Sequence, residues 1–167
     1  RWKILTDLYF LGVEIFKYPL VKGRVGVIDP VYHRWMCRIL QREQDTLLLS
    51  PRYTLKSSWV KTRVIQLMLQ RPTEPIGLFS STGFLVEKEL GAIARLCSNP
   101  FLMSIFPDRI PAPGKDFKNW QKKTANELTI YRDESEYQPQ EAQVTAFGAG
   151  ANIVGQHFKW AFMDDMV

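Results

Sequence analysis

Cysteine is scarce in this chain, with two residues, Cys37 and Cys97, among 167. They lie far apart in apolar, helix-like surroundings, which excludes a disulfide framework and the close spacing of a metal site. A reducing compartment is the simplest expectation. Long apolar runs are also missing. The N-terminal run Leu5 to Leu20 is broken by Asp7, Glu14 and Lys17, which excludes a signal-peptide core or a membrane span. No internal repeat and no low-complexity tract is present. Acidic residues are outnumbered, leaving a net charge of +5. That balance is compatible with nucleic acid but does not require it, since a solvated basic surface gives the same charge.

What is present suffices for a core. Hydrophobic residues make up 46% of the chain and aromatic residues 13%, in a length typical of one domain. The chain begins at Arg1 rather than Met and ends at Val167, straight after an apolar run closed by acids. These features lead us to expect one domain's worth of a longer protein.

Taken in order, Ile4 to Tyr18 has a helical apolar repeat with Thr6 as its expected N-cap. Val21 to Pro30, with two glycines, reads as a loop. Val31 to Gln41 reads as a helix with Tyr32, Trp35, Met36, Ile39 and Leu40 on its apolar side, and His33 within it reads as structural. Leu47 to Leu49 reads as a buried strand, and Ser57 to Gln70 as a largely buried helix ended by Pro72 and Pro75. Ile76 to Ser80 reads as a strand and Phe84 to Ser98 as a helix broken by Asn99-Pro100. Pro107 to Asn119 reads as an exposed loop, and Ser135 to Glu141 is polar. Asn126 to Arg132, Val144 to Phe147 and Lys159 to Met163 complete the set of strands. Strands alternating with helices predict a three-layer α/β sheet, mainly parallel.

Two stretches carry the chemistry. The first runs from Thr46 to Val60: a strand, a polar loop from Ser50 to Leu55, then Lys56-Ser57-Ser58 opening a helix. This order is the skeleton of a phosphate-binding loop, in which backbone N–H groups at a helix N-terminus cradle a polyphosphate. The lysine adds a point charge, and the hydroxyl after it can ligate Mg²⁺. The usual pattern has glycine where this chain has Ser50 and Leu55, and Leu55 is the sharper departure. The second stretch is Trp160 to Asp165, a hydrophobic strand ending in Asp164 and Asp165. Acids at the C-terminal end of a parallel strand can hold Mg²⁺ and orient an attacking water. An ordinary surface loop and an acidic turn are the bland readings of these two stretches. The interval between Lys56 and Asp164 has room for an additional strand and helix, as in P-loop ATPases of the ASCE type.

With these residues in place, the chain resembles the N-terminal ATPase domain of the large terminase subunit, the DNA-packaging motor of tailed phages. The resemblance runs from Asp7-Leu8-Tyr9-Phe10-Leu11-Gly12 through Val31-Tyr32-His33-Arg34 and the loop Ser50 to Ser57. It continues over Ser80-Ser81-Thr82, the Trp120 to Arg132 region, Gly148-Ala149-Gly150, Gly155-Gln156-His157 and Asp164-Asp165. It implies a three-layer α/β/α P-loop NTPase fold, RecA/helicase-like, with N-terminal helices over 1–44 and a P-loop core over 45–167. It also implies ATP hydrolysis with Mg²⁺. Pro51, Arg52, Tyr53, Thr54, Leu55, Lys56, Ser57 and Ser58 would hold the nucleotide, and Ser57 and Asp164 the metal. Lys56, Arg52 and Asp165 would act in catalysis, Arg52 on the γ-phosphate and Asp165 on the water. Tyr32 and His33 would approach the adenine, Gly148, Gly150 and Gly155 would form turns, and His157 would pack. Implied partners are double-stranded DNA, the portal protein, the small terminase subunit and further copies in a ring. The implied place is the host bacterial cytoplasm, transiently at the procapsid portal. A coupling motif and a nuclease domain would follow Val167. A helicase-type ATPase, or a non-hydrolysing nucleic-acid-binding or assembly module, is the alternative.

Overall fold

A computed structural model describes residues 1–19, 29–110, 121–132, 137 and 139–164. Contacts divide the chain into two compact units, Arg1–Gln66 and Leu67–Val167.

In the first unit the expected N-terminal helix is broken into pieces. Helix α1 (Trp2–Thr6) stops at Asp7, whose backbone is extended, and α2 (Leu8–Phe10) restarts there. Asp7, not Thr6, is the side-chain cap: its carboxylate accepts the Phe10 N–H at 2.9 Å. The Thr6 hydroxyl instead donates back to the Trp2 carbonyl at 2.9 Å. A short acceptor on the extended residue that opens α2 satisfies helix donors that a threonine at the end of α1 does not. A π-helical turn follows over Leu11–Ile15. Here Gly12 is required by space, because a Cβ would lie 2.4 Å from the Trp59 ring.

Helix α3 (Pro30–Leu40) starts on Asp29, which accepts the Val31 and Tyr32 N–H groups, with Pro30 in the first turn. It buries His33, Met36 and Cys37. Trp35, expected on the apolar side, is 52% exposed. Helix α4 (Lys56–Gln70) begins at the expected lysine and is buried along most of its length. Leu8, Val13, Met36, Cys37 and Trp59 form the core, with Tyr9, Tyr18, Tyr32, Leu40, Leu48 and Leu55 packed against it.

The second unit holds the sheet. Its strands are β1 (Ile76–Ser80), β2 (Lys122–Lys123), β3 (Glu127–Thr129), β4 (Val144–Gly148) and β5 (Trp160–Met163), in the order β2-β3-β4-β1-β5. The centre β4-β1-β5 is parallel, as expected, while β2 and β3 pair antiparallel. No helix separates β3 from β4 among the described residues, and direct connections favour antiparallel neighbours. The protein is therefore α/β with a mixed sheet. Helix α5 (Gly83–Cys97), capped by Thr82, packs on β1, β3 and β4, and α6 (Pro100–Ile105) follows on an Asn99 cap. Phe79, Phe147 and Phe158 pack together on the sheet, with ring centroids 5.3 to 6.0 Å apart.

Strand register sets the level of the strand ends. Ser80 pairs with Gly148, and Phe79 with Met163, so Asp164 follows at the same C-terminal edge. The Asp164 N–H donates to the Phe79 carbonyl at 3.0 Å. Gly148 is held to glycine by a close approach: a Cβ there would lie 2.3 Å from the Gly83 nitrogen at the start of α5. Trp160 is anchored by its indole N–H, which donates to Glu74 at 2.6 Å, while Arg71 pairs with the same carboxylate. No helix among the described residues is long and apolar enough to cross a membrane.

Candidate functional site

The chain reaches the candidate loop through Leu47 to Leu49, which the structure places outside any strand. Leu47 and Leu49 are each 84% exposed, while Leu48 packs on the core. The alternation of a strand survives, but among the described residues no neighbouring chain supplies a ladder, and a strand exists only by pairing.

From Ser50 onward the loop is tied down by a directed chain of hydroxyls. The Thr54 hydroxyl donates to the Pro51 carbonyl at 2.8 Å. Ser50 bonds the Thr54 hydroxyl, and Tyr32 bonds Ser50 at 2.6 Å. Each hydroxyl has one proton, so Thr54 giving its proton to Pro51 leaves Ser50 donating to Thr54 and Tyr32 donating to Ser50. The Thr54 carbonyl is held separately, by His33 Nε2 at 2.9 Å. Two consecutive residues of α3, Tyr32 and His33, thus hold the loop at Ser50 and Thr54.

The backbone within that grip is unusual. Tyr53 has φ of 67° and Leu55 has φ of 58°, whereas Thr54 between them is not in this region. Left-handed conformations cost a residue with a side chain about 1–2 kcal/mol. Turns with residues in this region are one of the backbone arrangements that can direct N–H groups toward an anion. The N–H groups of Arg52, Tyr53 and Leu55 make no hydrogen bond among the described residues, while a turn closes over Arg52 and Tyr53. Leu55 takes the very conformation for which a phosphate loop ordinarily uses glycine. Its side chain packs on the core of the first unit, and burial of that kind offsets a strain of this size.

Helix α4 starts at once. The Leu55 carbonyl accepts the Trp59 N–H at 3.0 Å, which makes Leu55 the N-cap. Leucine has no acceptor with which to cap a helix, so the leading N–H groups face the loop with no side chain from that position to meet them. The first turn contains no acid. From Thr46 to Thr73 the chain has no carboxylate at all, while Arg52, Lys56, Lys61, Arg63 and Arg71 fall within it. This gap in acidic residues is a signal that was present in the sequence and goes beyond the motif. Arg52 is exposed and makes no ion pair or hydrogen bond among the described residues. Lys56, Ser57 and Ser58 are half-buried, and the Ser58 carbonyl accepts from Tyr18 and Thr62.

The expected site residues divide between the units. Pro51, Arg52, Tyr53, Thr54, Leu55, Lys56, Ser57 and Ser58 form one continuous feature of the first unit. Asp164 is buried at the end of β5 in the second. Asp165 lies outside the described residues. His33 has both ring nitrogens engaged by backbone, Nε2 with Thr54 and Nδ1 with Asp29, so it supports the loop and offers nothing to an adenine. His157 is exposed rather than packed. Burial pushes the Cys97 thiol up to about 12, and raises Cys37 further with help from Asp7. Neither is a nucleophile.

The second unit has a cavity of about 610 Å³ between the start of α5 and the end of β4. Among the described residues, Glu87 and Glu127 are the charged ones lining it, with no basic side chain, which suits a polyphosphate poorly. Comparison with protein-family models, with curated proteins and with solved structures gives no match.

Proposed function

We propose that this chain binds ATP through the loop Ser50 to Ser57 and belongs to an ATP-hydrolysing motor of the large-terminase type. The observation that carries the reading is the left-handed Tyr53 and Leu55 placed directly ahead of Lys56. Open N–H groups, a long helix N-terminus and two cations without an intervening acid fit a polyphosphate on physical grounds alone. In the motor reading, double-stranded DNA, a portal, a small subunit and further copies in a ring are the partners. The support for them is the order of motifs from Asp7 to Asp165.

The chemistry in this reading is in-line attack of water on the γ-phosphate, promoted by positioning and charge neutralisation. Lys56 and the loop N–H groups hold the phosphates. Ser57 and Asp164 carry hard oxygens of the kind Mg²⁺ takes and would hold it in this reading, where the ion would supply neutralisation of phosphate charge. Asp165 orients the water. Arg52 meets charge that grows on the γ-phosphate in the transition state.

Titration of the chain with ATP and Mg²⁺ tests the first step, with saturable binding displaced by ADP as the expected result. Absence of saturable binding would leave a nucleic-acid-binding or assembly module as the better reading. Arg52→Ala is expected to leave nucleotide affinity within about threefold, because an exposed guanidinium adds little to ground-state binding. Turnover in the complete protein should fall at least about a hundredfold, the usual loss when one transition-state donor is removed. Lost binding instead would make Arg52 a ground-state contact.

A further inference from the structure

We propose that His33 is a positioning residue that sets the direction of the Leu55 N–H, and so makes the loop an anion receptor. This rests on the nucleotide reading of the same loop. The argument begins from the planar peptide between Thr54 and Leu55. The chain has no cis bond among the described residues, so the Thr54 carbonyl and the Leu55 N–H point in opposite directions across that plane. His33 Nε2 meets the carbonyl at 2.9 Å from the buried side, His33 itself being 2% exposed. Pinning the carbonyl inward turns the N–H outward.

That N–H is without a partner among the described residues, and it sits between the two left-handed residues and Lys56. The left-handed φ of Leu55 is a strained conformation, which persists only where its surroundings over-determine it. The imidazole supplies the hold. A carbonyl can only accept, so Nε2 is the donor. Nδ1 lies 2.9 Å from both the N–H and the C=O of Asp29. The neutral ring accepts from the former and the charged ring donates to the latter, so Nε2 donates to Thr54 in either state. The ring is itself fixed by packing against Tyr32 and Trp59, with centroids 5.1 and 6.0 Å away.

Three substitutions test this. His33→Phe keeps a ring and removes the donor. His33→Gln restores an amide N–H at nearly the reach of Nε2. His33→Asn can reach Asp29 but not Thr54, and replaces the Phe variant if that fails to fold. Two readouts are taken: the Leu55 amide signal of the unliganded chain by ¹⁵N NMR, and affinity for inorganic triphosphate with Mg²⁺. The Leu55 signal should move in the Phe or Asn variant and return toward wild type in the Gln variant. Triphosphate affinity should drop about tenfold and recover in the same order, the factor for one hydrogen bond of ordinary net worth. An unmoved Leu55 signal, or unchanged triphosphate affinity with the donor gone, would overturn the positioning role. Failure of the wild-type chain to bind triphosphate would overturn the nucleotide reading, whichever way the Leu55 signal behaves.

Discussion

Lys56→Ala is expected to abolish ATP turnover in the complete protein, with kcat reduced by about a hundredfold to a thousandfold or more. Lys56 is the first residue of α4, directly after the left-handed Leu55. In the nucleotide reading its ammonium would act beside the leading N–H groups of the helix. A phosphate held there would meet the helix dipole, backbone amides and the lysine's point charge. The amides and dipole stay in the variant, so residual nucleotide binding should persist at reduced affinity. The lysine is worth most where charge builds up, between the β- and γ-phosphates, and its loss falls mainly on the transition state. Single-turnover hydrolysis beside equilibrium nucleotide binding separates the two effects. Turnover near the wild-type rate would remove the loop from the catalytic assignment.

The largest effect on stability is expected from Trp59→Ala, a loss of about 3–5 kcal/mol. Trp59 is fully buried at the centre of the first unit, one turn into α4. Tyr9 stacks on it at 6.0 Å, Tyr18 meets it edge-on at 5.4 Å, and Gly12 comes close to its ring. No neighbour can collapse into the space left behind without breaking one of these contacts. Trp59→Phe isolates the cause. The indole N–H has no partner among the described residues, so a phenyl ring gives up volume but no hydrogen bond, at a cost of about 1 kcal/mol. Urea denaturation gives both values. An alanine variant within about 1 kcal/mol of wild type would mean the cluster does not hold this unit together, because burial on this scale predicts several times more.

The elements that were legible in the sequence are those whose own pattern decides them. Ile76 to Ser80 and Val144 to Gly148 are short apolar runs bounded by turn residues, and both are central parallel strands. The α4 and α5 helices start within one residue of expectation, because a lysine after a turn and a Thr82 cap are local signals. Leu47 to Leu49 failed because strand identity belongs to a pair of segments, and one segment cannot report its partner. The site was legible in part for the same reason. The order of loop, lysine and serine could be read directly. The backbone at Leu55 could not, since leucine gives no warning of a left-handed conformation that depends on tertiary contacts. His33 reads as structural in isolation, and its bond to Thr54 joins residues 21 positions apart. The antiparallel pairing of β2 with β3 depends on the turn between Lys123 and Glu127, and that of β3 with β4 on the direction in which the chain re-enters the sheet at Val144, neither of which periodicity encodes.

A leucine at position 55 also changes the state from which the loop folds. Glycine at such a site roams widely in the denatured ensemble and in an empty loop, and each arriving anion must suppress that freedom. Leucine has fewer conformations to lose, and its side chain is already docked on the hydrophobic cluster of the first unit. The ordering entropy is thus settled during folding rather than at binding. In the nucleotide reading, a loop built this way would trade the adaptability of glycine for a shape that precedes its ligand.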